Sequence, residues 1–100
     1  MLRLVTIDLT GADLERFESY EDTVLSLAGK HGGRLELRLR AVDGSSETHL
    51  LFFPDTQAFE NYRADPERLS AQDVWRASGA KSSVIEVEVI RSQYAPAGSP

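Results

Sequence analysis

Between residues 34 and 40 the chain alternates regularly. Leu35, Leu37 and Leu39 are separated by Glu36, Arg38 and Arg40, the two-residue period of a strand with one polar face. Residues 2–9 alternate in the same way, with Val5, Ile7 and Leu9 on one side and Leu4, Thr6 and Asp8 on the other. The turn residues Asp43-Gly44-Ser45-Ser46 separate the second strand from a third, which forms a hairpin with it and ends in Leu50-Leu51-Phe52-Phe53-Pro54. This third strand is apolar on both faces and so requires a layer on each side. Alternation returns from Ser83 to Ile90, where Ile85, Val87 and Val89 stand against Glu86 and Glu88.

Helical spacing fills the gaps. Thr10-Gly11-Ala12-Asp13 has the form of a capping segment. Leu14, Phe17, Val24 and Ala28 then make an apolar stripe, with Glu15, Glu18, Glu21 and Asp22 mostly outside it. Lys30-His31-Gly32-Gly33 ends this helix near residue 30, with His31 as a cation at the negative helix end. Asp55 caps a second helix carrying Phe59 and Tyr62. Asp65-Pro66 restarts it over about 66–77, where Leu69, Val74 and Trp75 lie, and Gly79 stops it.

The order strand, helix, strand, strand, broken helix, strand predicts a ferredoxin-like α+β domain, βαββαβ, with a four-stranded antiparallel sheet. Right-handed crossovers place strands 1 and 3 in the centre. The expected helix-facing set is Val5, Ile7, Leu9, Leu35, Leu37, Leu39, Phe52, Ile85, Val87 and Val89. The expected open face carries Leu4, Thr6, His49, Leu51 and Phe53 at its centre, rimmed by Arg38 and Arg40 on one edge and Glu86 and Glu88 on the other. An apolar centre inside a charged rim predicts a homodimer of face-to-face sheets, with the arginines of one subunit opposite the glutamates of its partner.

Composition narrows the function classes. The 100 residues support one domain, placed at 1–91, with 92–100 as a flexible tail. Sixteen acidic against eleven basic residues give a net charge of −5, which argues against a nucleic-acid partner. There is no cysteine, hence no disulfide or thiolate chemistry. No signal-like start or membrane-length apolar run is present, and a soluble cytoplasmic protein is expected.

Gly32-Gly33-Arg34 before the second strand, Leu51-Phe52-Phe53-Pro54-Asp55, Ala58-Phe59, and Tyr62-Arg63-Ala64-Asp65-Pro66-Glu67-Arg68 together resemble the dimeric α/β-barrel superfamily. The likeness is to the branch of small domains related to antibiotic-biosynthesis monooxygenase-like proteins, and it covers about residues 2–90. It implies a dimer whose sheets form a barrel, with a ligand cavity between sheet and helices. It also implies cofactor-independent monooxygenase-like or isomerase-like activity, or haem binding as in some relatives. The monooxygenase pattern of Asn, Trp and His is not matched, since Trp75 is the sole Trp and Asn61, the sole Asn, lies on a helix.

His49 is a candidate general base if it faces a cavity, and a hydrogen-bonded interface histidine otherwise. Tyr20, Tyr62 and Trp75 are candidate cavity walls for a planar ligand, with amphipathic core packing as the plainer role. Arg63 and Arg68 are candidates to hold an anion at the pocket mouth. No metal spacing is present and no cofactor is predicted from the residues. Two functions follow: binding or transformation of a small aromatic or lactone-like metabolite without a metal, or a non-catalytic dimeric module. A cavity of ~300 Å³ or more with converging polar groups would favour the first.

Overall fold

The computed structural model describes residues 1–90; the tail expected at 92–100 lies outside the described residues. Its elements are β1 (Leu2–Asp8), α1 (Leu14–Leu27), a 3₁₀ turn (Ala28–His31), β2 (Arg34–Arg40), β3 (Ser46–Phe52), α2 (Thr56–Arg63), α3 (Pro66–Ser70), α4 (Gln72–Ser78) and β4 (Lys81–Val87). The strands pair antiparallel in the order β2-β3-β1-β4, the ferredoxin-like arrangement predicted from the element order. The predicted helix over 66–77 is two short helices that meet at Ala71.

Acidic caps start the helices. Asp13 accepts from the Arg16 backbone N–H at 3.1 Å, Asp55 from that of Ala58 at 2.8 Å, and Asp65 from that of Glu67 at 2.8 Å. Thr10 does not share in the first cap: its N–H binds Asp8 Oδ1 at 2.9 Å. Asp65 also meets Lys30 Nζ at 3.0 Å and His31 Nε2 at 2.7 Å, tying the start of α3 to the 3₁₀ turn. Gly79 ends α4 at φ +77°, a conformation that side chains with a Cβ adopt reluctantly.

All helices lie on one face of the sheet. The core there runs from Ile7, Leu9, Phe17 and Ala80 through Tyr20, Val24 and Ala71 to Leu27, Ala28, Leu51, Phe53, Phe59 and Tyr62. Phe53, fully buried, stands 5.3 Å from the Phe59 ring and 5.2 Å from that of Tyr62. Gly33 makes room for it, because a Cβ there would come within 2.5 Å of the Phe53 ring.

The face assignment of three strands differs from the sequence expectation. Val5 pairs with His49 and Ile7 with Glu47, so β1 faces as predicted, but His49, Leu51 and Phe53 lie under the helices. Leu50 and Phe52, paired with Leu4 and Leu2, take the open face. In β2 the register shifts by one residue at Glu36: Leu35 pairs with Leu51, whereas Leu37 pairs with Leu50. The extra residue is a bulge, after which Arg38 and Arg40 point to the helix side and Leu37 and Leu39 to the open side. In β4 the pairing of Leu4 with Ile85 and Leu2 with Val87 puts these two on the open face, and Glu86 opposite Arg3 on the helix side. Glu88 and Val89 follow the end of the strand.

Candidate functional site

Between the sheet and the helices lies a cavity of about 220 Å³. The helices reach it with aromatic side chains, because α1, α2 and α4 each turn an apolar stripe toward the sheet. Tyr20, Tyr62 and Trp75, together with Phe59, form its walls, and Val5, Leu51 and Val84 form its floor. The Tyr20 and Trp75 rings are 5.1 Å apart, and Tyr62 Oη donates to the Val24 carbonyl at 3.1 Å. Burial raises the pKa of both tyrosines against the nearby charge of Arg68, so both keep their protons at neutral pH.

His49, Arg63 and Arg68 also line the cavity, so the residues singled out in the sequence as possible pocket members converge on one space. Arg68 lies over the Tyr62 ring at 5.1 Å. Its Nη1 donates to the Arg63 carbonyl at 3.4 Å, while its Nε is buried with no hydrogen-bond partner among the described residues. Arg63 lies 5.7 Å over the Phe59 ring.

Two carboxyl groups that the sequence reading did not single out complete the site. Glu47, 1% exposed, accepts from Arg38 Nε at 2.8 Å and from Arg40 Nε at 2.9 Å. Burial opposes its ionisation, but hydrogen bonds from Arg38, His49 and Arg40 outweigh it and lower its pKa. An ionised Glu47 only accepts, so the 2.6 Å contact with His49 Nε2 places a proton on that nitrogen. Burial lowers the pKa of His49 despite the adjacent carboxylate, leaving a neutral ring whose Nδ1 carries a lone pair.

That Nδ1 stands 4.0 Å from Glu21 Oε2. Glu21 is 4% exposed and lines the cavity. Burial pushes its pKa up to about 7; Glu47 and Glu18 add to the rise, and Arg38 and Arg68 oppose it. Its signal in the sequence was spacing. Glu21 lies four residues after Phe17 and three before Val24, inside the apolar stripe rather than beside it. Glu47 was visible in the same way, two residues before His49 on a strand whose alternate positions are buried.

The residues expected to form a dimer interface divide. Leu4 and Thr6 are on the open face; Arg38, Arg40, His49, Leu51, Phe53 and Glu86 are on the helix side, and Glu88 is beyond β4. Arg38 and Arg40 are held by Glu47 and Glu18 of their own chain, and Arg3 Nη1 lies 3.6 Å from Glu86. Arg38, Arg40 and Glu86 thus lie on the helix side with partners in their own chain, not on the open face where they were expected. The physical reason is the buried Glu47 carboxylate, which requires cations on its own side of the sheet. The open face instead carries Leu2, Leu4, Leu37, Leu39, Leu50, Phe52, Ile85 and Val87.

Among the described residues no three His, Cys, Asp or Glu side chains are grouped to hold a metal ion. A cavity smaller than the ~300 Å³ of sites for drug-sized ligands does not fit a haem. Asn61 accepts from Gln57 at 2.9 Å on an exposed helix surface and does not line the cavity. Among the described residues no helix is long and apolar enough to cross a membrane.

A four-stranded antiparallel sheet covered on one face by a long helix and a bent one is the ferredoxin-like fold of antibiotic-biosynthesis monooxygenase-type and dimeric ferredoxin-like proteins. SnoaB, a cofactor-independent oxygenase from Streptomyces nogalater, superposes with a TM-score of 0.68 at 20% identity, over 92% of this chain and 96% of that one. Rv0793 from Mycobacterium tuberculosis gives 0.66 at 10% identity, over 92% and 98% of the two chains. A dimeric ferredoxin-like protein of unknown function from Jannaschia gives 0.60 at 17% identity, over 87% and 100%. At these identities the likeness establishes the fold. No family model and no curated protein matches the sequence.

Proposed function

We propose that the protein binds a small planar metabolite, aromatic or lactone-like, in the cavity between sheet and helices, and transforms it without a metal. The observation that carries this reading is the cavity itself: aromatic walls from three helices with Glu21, His49 and Arg68 converging on the same space. At about 220 Å³ it falls below the size set out above for a ligand site, which scales the ligand down to a single ring rather than removing it. A non-catalytic module gains nothing from a buried Arg68 Nε in the cavity wall left without a hydrogen bond among the described residues, since such a group costs stability.

The reading includes a homodimer closed through the open faces. Eight apolar side chains there form a contiguous patch, with Ile85 57% and Leu39 54% exposed. Such a surface on a small domain marks an interaction site. The Jannaschia protein of the same fold is described as dimeric. A cytoplasmic setting belongs to the same reading, in keeping with a chain without cysteine.

A thermal-shift series with single-ring aromatic acids, five-membered lactones and haem tests it. A ligand at 100 times its Kd adds about 2.7 kcal/mol of stability. A rise in Tm with a ring-sized acid or lactone, absent with haem, is expected. No shift with any class would overturn the reading.

A further inference from the structure

Resting on that cavity reading, we infer that Glu21 is the proton acceptor of the site. It acts on a ring-sized carbonyl compound with an acidic C–H beside its carbonyl group, with Arg68 against the carbonyl oxygen and His49, held by Glu47, as a positioning residue.

A buried acid and an unsatisfied donor in one cavity carry the inference. Glu21, 4% exposed, lines the cavity with its Oε2 4.0 Å from His49 Nδ1, and Arg68 has a buried Nε that gives no hydrogen bond among the described residues. The orphaned Nε is costly to hold in that state. A ligand with a proton to yield and an oxygen to accept satisfies both at once. The aromatic walls around them supply the flat space such a ring needs and exclude water. The remaining charges around Glu21 are Arg38 from β2, Glu47 and His49 from β3, Glu18 on its own helix and Arg68 from α3, with the Tyr20 and Tyr62 hydroxyls nearby. They leave the carboxyl group titrating near neutrality, where a general base is most effective.

In the step itself the substrate C–H bond breaks and its proton goes to a Glu21 carboxylate oxygen. The electron pair moves into the ring as an enolate whose oxygen lies against the Arg68 guanidinium. Returning the proton from Glu21 to the carbon at the far end of the conjugated system regenerates the carboxylate and leaves an isomer of the starting ring. Nothing is oxidised or reduced. His49 Nδ1, a lone-pair site, faces Oε2 across 4.0 Å, outside hydrogen-bond distance, so its influence on the carboxyl group is electrostatic, and Glu47 fixes the tautomer that keeps the lone pair on that side.

The test uses the full chain and α-angelica lactone, a five-membered unsaturated lactone with an acidic ring C–H. Binding is read from Trp75 fluorescence, and exchange of the ring proton in D₂O by NMR. Wild type is expected to bind the lactone and exchange its proton above the buffer rate. Glu21→Gln should bind it and lose exchange by on the order of 100-fold or more, with Glu21→Asp recovering part of the loss. His49→Asn should displace the midpoint of the pH profile of exchange, which a purely structural role would not do. Binding with no exchange, or full exchange in Glu21→Gln, overturns the assignment of Glu21 and leaves the cavity reading standing. Failure of wild type to bind overturns both.

Discussion

In β3 the Glu47 carboxylate and His49 Nε2 meet at 2.6 Å across two residues of one strand, both under the helices and nearly free of solvent contact. The pair endures there because Arg38 and Arg40 neutralise the carboxylate from the neighbouring strand. Replacing both arginines by Met leaves Glu47 buried without a cation, which typically costs 3–5 kcal/mol when one side of a buried pair is removed. Urea unfolding should place the double variant about 3 kcal/mol or more below wild type, and adding Glu47→Gln should recover much of the loss.

Glu21 makes the fold less stable as pH rises. Its folded pKa of about 7 lies above the ordinary value of 4.5, so the folded state holds a proton that the unfolded chain has released. Below pH 4.5 both states are protonated and there is no penalty. Between 4.5 and 7 the penalty grows, and above 7 it is complete, on the order of 3 kcal/mol. Glu21→Gln should therefore match wild type in thermal melts at pH 4 and exceed it at pH 8.

Asp65 has the opposite sign. Hydrogen bonds from His31 and Lys30 hold its carboxyl group well below the ordinary 3.8. Its contribution is present above pH 3.8 and is lost as pH falls toward the folded value. Asp65→Asn should lower Tm at pH 7, where it also removes the anion facing Lys30, and the gap from wild type should narrow in strong acid.

Phe53 tests the packing beneath the cavity. Phe53→Ala removes a fully buried ring held between Phe59 and Tyr62, and an expected 3–5 kcal/mol should be lost in denaturant titration. Gly33→Ala should destabilise through the same ring, since the added carbon has Phe53 within 2.5 Å and the Phe52 carbonyl at 2.9 Å.

The open sheet face predicts the oligomer. Wild type should scatter light as a dimer at micromolar concentration. Leu4→Arg or Leu50→Arg, which place a charge in the middle of the apolar patch, should give monomers that retain their helical circular dichroism. A wild-type monomer across the micromolar range would remove the dimer from the proposed function.

The strands, the caps and their order were legible in the chain because each has a local cause: two-residue alternation in β1, β2 and β4, and Asp13, Asp55 and Asp65 ahead of helical runs. Which way three of the strands faced was not. His49, Leu51 and Phe53 on one side of β3 and Leu50 and Phe52 on the other are both apolar enough for a core, so alternation alone carries no direction there. In β2 the leucines read as the buried side by hydropathy. The buried Glu47, a tertiary partner that no periodicity in β2 reveals, draws the arginines inward instead. The cavity followed a similar division. Its aromatic walls were foreseeable from helical stripes, whereas Glu21 was set aside as polar although its spacing put it in line with Phe17 and Val24.

The bulge in β2 has a consequence for chain length. Glu36 has no opposite number on β3: the neighbours on either side of it, Leu35 and Leu37, pair with the adjacent residues Leu51 and Leu50. A chain from which Glu36 is deleted would thus restore plain alternation, keep both arginines on Glu47 and keep Leu37 and Leu39 outward. Loss of one residue from the middle of a strand ordinarily scrambles everything beyond it; at this position the sheet can be one residue shorter with every remaining side chain where it was.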